Sequence, residues 1–528
     1  MKNNGNVKRI THKARSSDSR VVRVKTETAG LGALKTLIVM AIIFSQLTLF
    51  IYLYIELAMA FRWYVAVSFV LSLLTTLYVL SSDKNSLSKA VWIIFLLVFF
   101  IFGYAIYVMS DERFFFNRAK KRYEAVFSAA NCYVPEYKRE ECGAPASVAN
   151  DASYLYSAGG FGVYKNTELE YFSSGAVFFD EVLEKLAAAK SFVFMEFFIV
   201  SDGTLMKRFL NIIRAKCAEG VDVRLIYDDM GSHKTLSYKT KRKLKEAGVK
   251  LQAFNRLVPI FSIGLNYRDH RKIVVVDGEI AYTGGANFAD EYINEKRLYG
   301  YWKDAGVRLT GEAVDGFSLI FLRQWEYLTK KSEDYSRFLG TADKKPSDSI
   351  VVPYADGLDF KSTISKTAYE NIISSAEERL YIMTPYFILE DTLTSLITNK
   401  ARSGVDVRLV LPGIPDKRIV FSVSRNNAEK LVKSGVKLYY MKNSFVHSKL
   451  VLTENAVIIG SINMDLRSFY QQFECAVYTN DEKAMTSVHF DFLETFRDSF
   501  LMAEENVKKK SIFTRIFAGV IRVFAPFM

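Results

Sequence analysis

His270-Arg-Lys272-Ile-Val-Val-Val-Asp277-Gly278, closing with Gly284-Gly285-Ala-Asn287, has a second version 177 positions later in the 528-residue chain. That copy reads His447-Ser-Lys449-Leu-Val-Leu-Thr-Glu454-Asn455 and closes with Gly460-Ser461-Ile-Asn463. In both, His and Lys flank one residue and lead into an apolar run, so a strand would project the two polar side chains from the same face. Such a face can hold a phosphate. A single HxK is a weak signal. Its duplication, with the same spacing to an acidic residue and the same Gly-[Gly/Ser]-x-Asn close, points to one site built from two halves.

The pattern resembles the phospholipase D superfamily, whose mark is a pair of HxKxxxxD motifs in one active site. Further stretches resemble bacterial cardiolipin synthases: Asn266-Tyr-Arg268-Asp-His270, Asn287-Phe-Ala-Asp-Glu291-Tyr292 and Trp302-Lys-Asp304 in the first half, Thr384-Pro385-Tyr386-Phe387 and Asn463-Met-Asp465-Leu-Arg467-Ser468 with Glu474 in the second. The similarity covers residues 62–528. One departure is Glu454, where the family's second motif carries Asp.

Attack on a phosphodiester needs a nucleophile, a proton donor for the departing alkoxide, and positive charge around the phosphoryl oxygens. One histidine from each half supplies the first two, and a phosphohistidine divides a hard displacement into two easier ones. Lys272 and Lys449, with Asn287, Asn463 and Ser461, are the expected phosphate-binding groups. The resemblance implies His270 as nucleophile and His447 as general acid, then base; the symmetry of residue types leaves the reverse assignment open. It also implies Glu474 and Asp304 as the carboxylates that orient the imidazoles. Asp277 and Glu454 complete the catalytic motifs as supports rather than reactants. No metal and no cofactor is expected, since no other His/Cys/Asp/Glu grouping has ligand spacing.

The duplication extends beyond the motifs. Gly-Val-Asp-Val-Arg-Leu occurs at 220–225 and again at 404–409, each time between a helical pattern and a β-branched run. In each copy the order is helix, strand, helix, strand, with the glycine at a helix end. The expected fold class is therefore α/β: two duplicated domains, 166–340 and 341–505, related by a pseudo-twofold axis, each with a largely parallel sheet. Glu196 and Tyr386 fall on corresponding strands and are candidates to line the cleft, with core packing as the alternative. His233, at a strand end, is a further candidate; His489 reads as a packing residue.

The first 110 residues have a different character. Apolar runs at 36–54, 63–81 and 90–109 each approach the roughly 20 residues that an α-helix needs to cross a bilayer, so transmembrane helices are expected over 35–110, after a basic tail at 1–34 and before a connecting segment at 111–165. The positive-inside rule puts both the tail and the basic segment Arg113–Arg122 on the cytoplasmic side, a demand that three full crossings do not meet. Residues 506–528, with Lys508, Lys509 and Lys510 before an apolar stretch bearing Arg515 and Arg522, read as an amphipathic interfacial segment. A net charge of +13 suits anionic lipid. The expected location is the cell membrane, multi-pass, with phosphatidylglycerol and other anionic lipids as partners and no nucleic acid. Cys132 and Cys142 are candidates for a bridge or for two free thiols.

Overall fold

The computed structural model describes residues 62–82, 86–110, 117–256, 267–357 and 363–506, with isolated positions between 45 and 60. The basic tail, most of the first apolar run and the amphipathic segment beyond residue 506 lie outside the described residues. Two compact units divide the chain, residues 1–74 and 75–528.

The second apolar run forms the helix Arg62–Ser81. Its stretch Trp63–Ser81 is, among the described residues, the one helix long and apolar enough to cross a membrane. The third run departs from expectation. Instead of one spanning helix, residues 90–109 contribute to two short helices, Ser86–Val98 and Gly103–Ser110. They fold back on each other, with the Trp92 and Tyr107 rings 5.0 Å apart. Gly103 opens the second helix at the close approach, where a Cβ would lie in van der Waals contact with Leu96, 3.4 Å from its Cα.

Within the larger unit the duplication is explicit. The first half contains β1 (Thr167–Phe172), β2 (Phe192–Phe197), β3 (Asp222–Asp228), β4 (Lys250–Phe254), β5 (Arg268–Asp269), β6 (Lys272–Val276), β7 (Ile280–Gly284), β8 (Tyr301–Lys303) and β9 (Gly306–Gly311). The second contains β10 (Val351–Ala355), β11 (Arg379–Met383), β12 (Phe387–Ile388), β13 (Asp406–Pro412), β14 (Lys437–Met441), β15 (Ser444–Val446), β16 (Leu450–Thr453), β17 (Val457–Gly460), β18 (Met464–Asp465), β19 (Gln472–Phe473), β20 (Cys475–Thr479) and β21 (Ser499–Leu501). The main sheets run β1-β9-β7-β6-β2-β3-β4 and β10-β20-β17-β16-β11-β13-β14-β21, the same order apart from the added edge strand β21.

Neither sheet is largely parallel. Only β2, β3 and β4, and their counterparts β11, β13 and β14, run parallel; the other internal pairings are antiparallel. A tight turn reverses the chain after each HxK strand, closed in the second half by Thr453 N–H donating to Ala456 C=O at 2.9 Å and built in the first on two left-handed residues. Val276 C=O accepts from Glu279 N–H across Asp277 and Gly278, which have φ of 55° and 69°. Two successive positive φ values belong to the tight turn that reverses a strand into a hairpin.

β2 is buried along its whole length. Val193, Met195 and Phe197 enter a core on one face, against the helices Gly175–Ala188 and Thr204–Ala218. Phe192 and Phe194 enter a second core on the other face, which continues through the second half. The buried helix Val314–Thr329 lies at this shared core, where Phe321 stacks on Phe194 at 4.5 Å. The connecting segment does not stand apart: the helix Ala146–Ser157 packs on the helix Ile364–Ser375, and Tyr164 exchanges backbone hydrogen bonds with Val351.

Candidate active site

Two short parallel pairings bring the motifs together across the halves. β5, just before His270, pairs with β19, which ends at Phe473 just before Glu474. β15, just before His447, pairs with β8, which ends at Lys303 just before Asp304. His270 N–H donates to Phe473 C=O at 2.8 Å, and His447 N–H to Lys303 C=O at 2.7 Å. Each histidine is thus fixed in register beside a carboxylate of the other half. His270 Nδ1 lies 2.9 Å from Glu474 Oε2, and His447 Nδ1 lies 2.7 Å from Asp304 Oδ2.

The lysines start the following strands. Lys272 Nζ donates to the His270 carbonyl at 2.5 Å. Lys449 Nζ donates to the His447 carbonyl and sits 2.7 and 3.1 Å from the two imidazole nitrogens. Burial pushes Lys272 down to about 8 and Lys449 down to about 7. The histidines respond in the same direction: burial and the two lysines hold His270 well below the usual imidazole range, and burial with Lys449 brings His447 to about 4 against the opposing pull of Asp304. Burial drives Glu474 well above the carboxylate range, while Lys272 and Ser461 favour its ionised form.

Gly285 and Ser461 occupy equivalent places with different consequences. A Cβ at Gly285 would meet Asp304 Oδ1 and the His447 backbone, so the bare glycine leaves room for the carboxylate. Ser461, expected among the phosphate-binding groups, has its hydroxyl within hydrogen-bond reach of the Glu474 carboxylate and of the Cys475 carbonyl at 3.1 Å, and its oxygen accepts from Cys475 N–H at 3.0 Å. It thus packs directly against the Glu474 carboxylate. Asn287 accepts from Ile199 N–H at 3.1 Å and donates to Tyr292 Oη at 2.6 Å, leaving one amide hydrogen uncommitted. Asn463 is buried, and its Oδ1 has no hydrogen-bond partner among the described residues.

Asp277 and Glu454 lie at the far ends of their motif strands. The Asp277 carboxylate accepts from the N–H groups of Lys190, Ser191 and Phe192 at 2.7, 2.7 and 2.9 Å. Glu454 accepts from Glu377, Glu378 and Arg379 at 2.7, 3.3 and 3.1 Å. Each pins the entry of the neighbouring central strand, β2 or β11. Asp277 reaches its amides from a left-handed backbone; Glu454 is not among the positive-φ residues and uses a longer side chain.

The remaining sequence candidates fall outside this group. Glu196 is buried beside Arg271, 3.6 Å away, and burial together with Asp269 raises its carboxyl well above the usual range. Tyr386 Oη donates to the Asp416 carboxylate. His233 is exposed after the short helix Asp229–Ser232, and His489 packs against Tyr381 at 5.8 Å. Cys132, Cys142, Cys217 and Cys475 are free thiols.

Sequence reading missed the aromatic surround and the residue inside the first motif. Tyr292, Trp302 and Phe445 pack around His447 with ring centroids 5.3, 5.4 and 5.8 Å away, and Phe198 packs on His270 at 5.0 Å. Arg271, only a spacer in the motif, is fully buried just ahead of β6, 3.6 Å from Glu196. The available signal was its charge at the head of an otherwise apolar strand.

A duplicated mixed sheet with a His-Lys pair from each half and crossed carboxylates defines a phospholipase D-type enzyme. The chain belongs to the cardiolipin synthase family and is a phosphatidyltransferase of that superfamily: the family model described as "Cardiolipin synthase, PLD-like domain" matches residues 182–297 and 369–496. Cardiolipin synthase 2 of Bacillus cereus is 32% identical over 455 residues, 84% of this chain and 88% of that protein. Cardiolipin synthase of Halalkalibacterium halodurans is 29% identical over 479 residues, 88% of this chain and 95% of that protein. The crystal structure of a phosphatidylserine synthase from Haemophilus influenzae shares the fold, with a TM-score of 0.55 at 15% identity over 72% of this chain and 98% of that one.

Proposed function

We propose that the enzyme is a membrane-bound cardiolipin synthase that transfers a phosphatidyl group from one phosphatidylglycerol to another with release of glycerol. The carrying observation is the crossed pairing of each HxK histidine with a carboxylate from the other half, His270 with Glu474 and His447 with Asp304. With Nδ1–H directed at Glu474, Nε2 of neutral His270 holds the lone pair that attacks phosphorus. The bond from phosphorus to the glycerol oxygen breaks, and the imidazolium form of His447, the form that Asp304 favours against burial and Lys449, gives its Nε2 proton to the departing glycerol oxygen and becomes neutral. In the second step His447 removes a proton from the hydroxyl of another phosphatidylglycerol, whose oxygen displaces His270. Lys272 and Lys449 neutralise the phosphoryl oxygens as charge builds, and the side-chain amides of Asn287 and Asn463 hold them.

Membrane attachment is supported by the helix Arg62–Ser81, which leaves Phe69, Leu73, Leu74 and Leu77 exposed along its length, a surface suited to lipid tails. The apolar run 36–54 is, by its composition, the candidate for a second crossing beside this helix, since the run 90–109 folds as two short helices. Labelled phosphatidylglycerol incubated with the purified protein should yield cardiolipin and free glycerol in equal amounts. Phosphatidic acid as the main lipid product would identify a hydrolase, and no turnover would identify a silent scaffold.

A further inference from the structure

We infer that Tyr123, on the helix Asn117–Ala129 that follows the apolar hairpin, is a positioning residue for the His270–Glu474 pair. The inference rests on the reading of His270 as a reacting group.

Tyr123 is buried and touches both chain segments that carry the pair. Its hydroxyl accepts from Arg271 Nη2 at 3.3 Å, and Arg271 stands between His270 and Lys272. Its ring meets Phe473 edge-on at 5.7 Å, and Phe473 immediately precedes Glu474. The two segments are also tied to each other. Arg271 Nη2 donates to Asp356 C=O at 2.5 Å, Asp356 N–H donates to Glu474 C=O at 3.0 Å, and the Arg271 guanidinium lies 5.2 Å from the Phe473 ring centroid. With His270 N–H bonded to Phe473 C=O, this closes a loop around the histidine and its carboxylate. Tyr123 supports that loop, and is itself held by Phe127 at 6.1 Å and Tyr327 at 5.5 Å.

Among the described residues the other half shows no such lock. The place of Arg271 is taken by Ser448, whose hydroxyl lies 3.4 Å from Lys303 C=O, and His447 is held by rings instead. A helix outside both sheets therefore controls one of two otherwise equivalent histidines. Reacting groups tolerate little displacement: a shift of 1 Å from a remote change can cost about 10²-fold.

The test uses Tyr123→Phe and Tyr123→Ala in the full-length enzyme, assayed on phosphatidylglycerol in detergent micelles. Tyr123→Ala should lower kcat by about 10- to 100-fold, change KM less than about threefold, and move the acid limb of the kcat/KM profile. Tyr123→Phe, which keeps the ring on Phe473, should restore most of kcat. Should Tyr123→Ala not fold, Gly357→Ala decides on the same readouts, because a Cβ there would press on the Tyr123 hydroxyl. Wild-type kcat and an unmoved acid limb in the folded variant would overturn the proposal, whatever the melting temperature. Failure of the underlying reading looks different: no phosphohistidine would be trapped on His270 even with Tyr123 intact.

Discussion

Glu474 Oε2 lies 2.9 Å from His270 Nδ1, although the two residues belong to different halves of the duplicated fold and are 204 positions apart. Neither half is complete alone. On the proposed mechanism the carboxylate holds the tautomer and the plane of the ring, and Ser461 lies against the carboxylate. Glu474→Gln should therefore lower kcat by about 10²- to 10⁴-fold, the worth of a positioned proton-transfer group, with substrate binding changed far less. Asp304→Asn should do the same through His447. Steady-state kinetics on protein of confirmed fold checks both.

The depressed lysines set the alkaline limit. Lys449 at about 7 and Lys272 at about 8 lose their charge as pH rises from 7 to 9, and a neutral amine does not hold a phosphoryl oxygen. The kcat/KM profile of the free enzyme should fall across that window. Stability should move the opposite way. In that range the unfolded lysines bind more protons than the folded ones, so their contribution to unfolding free energy rises with pH. Melting curves of wild type and Lys449→Met should show a steeper pH dependence in the wild type; equal slopes would refute the assignment.

Glu454→Ala should destabilise the second half without altering product identity. It removes the acceptor of three backbone N–H groups at the entry of β11; these amides are exposed enough for water to replace it, so the loss is about 0.5–1.5 kcal/mol, the net worth of an ordinary hydrogen bond. Glu454→Asp should recover only part of this, because its backbone lacks the left-handed turn from which Asp277 reaches. Thermal denaturation gives the order Glu, then Asp, then Ala.

Chelation should leave turnover unchanged in micelles, since Lys272 and Lys449 supply the positive charge at the phosphoryl group. Activity lost in EDTA and restored by one divalent ion would require another source of that charge.

The two halves and their histidines were legible because duplication leaves identical strings, Gly220–Leu225 and Gly404–Leu409, in matching places. Strand direction was less legible. The Asp277-Gly278 turn between Val-Val-Val and Ile-Ala-Tyr carried the hairpin signal, but helix-strand alternation earlier in each half suggests parallel strands throughout. The run 90–109 has the composition of a span, and only the contact of Trp92 with Tyr107, between residues 15 apart, reveals a hairpin. Arg271 and Tyr123 could not be paired from sequence, since their contact joins positions 148 apart with no shared pattern. Ser461 was recognised, but its role depends on where one hydrogen points.

The central claim is a covalent phosphatidyl intermediate on His270, with His447 acting on the departing and incoming oxygens. Acid-quenched His447→Ala incubated with labelled phosphatidylglycerol should retain label on a peptide containing His270, while His270→Ala should retain none. Label recovered on His447 in the His270→Ala protein would contradict the account and reverse the two roles.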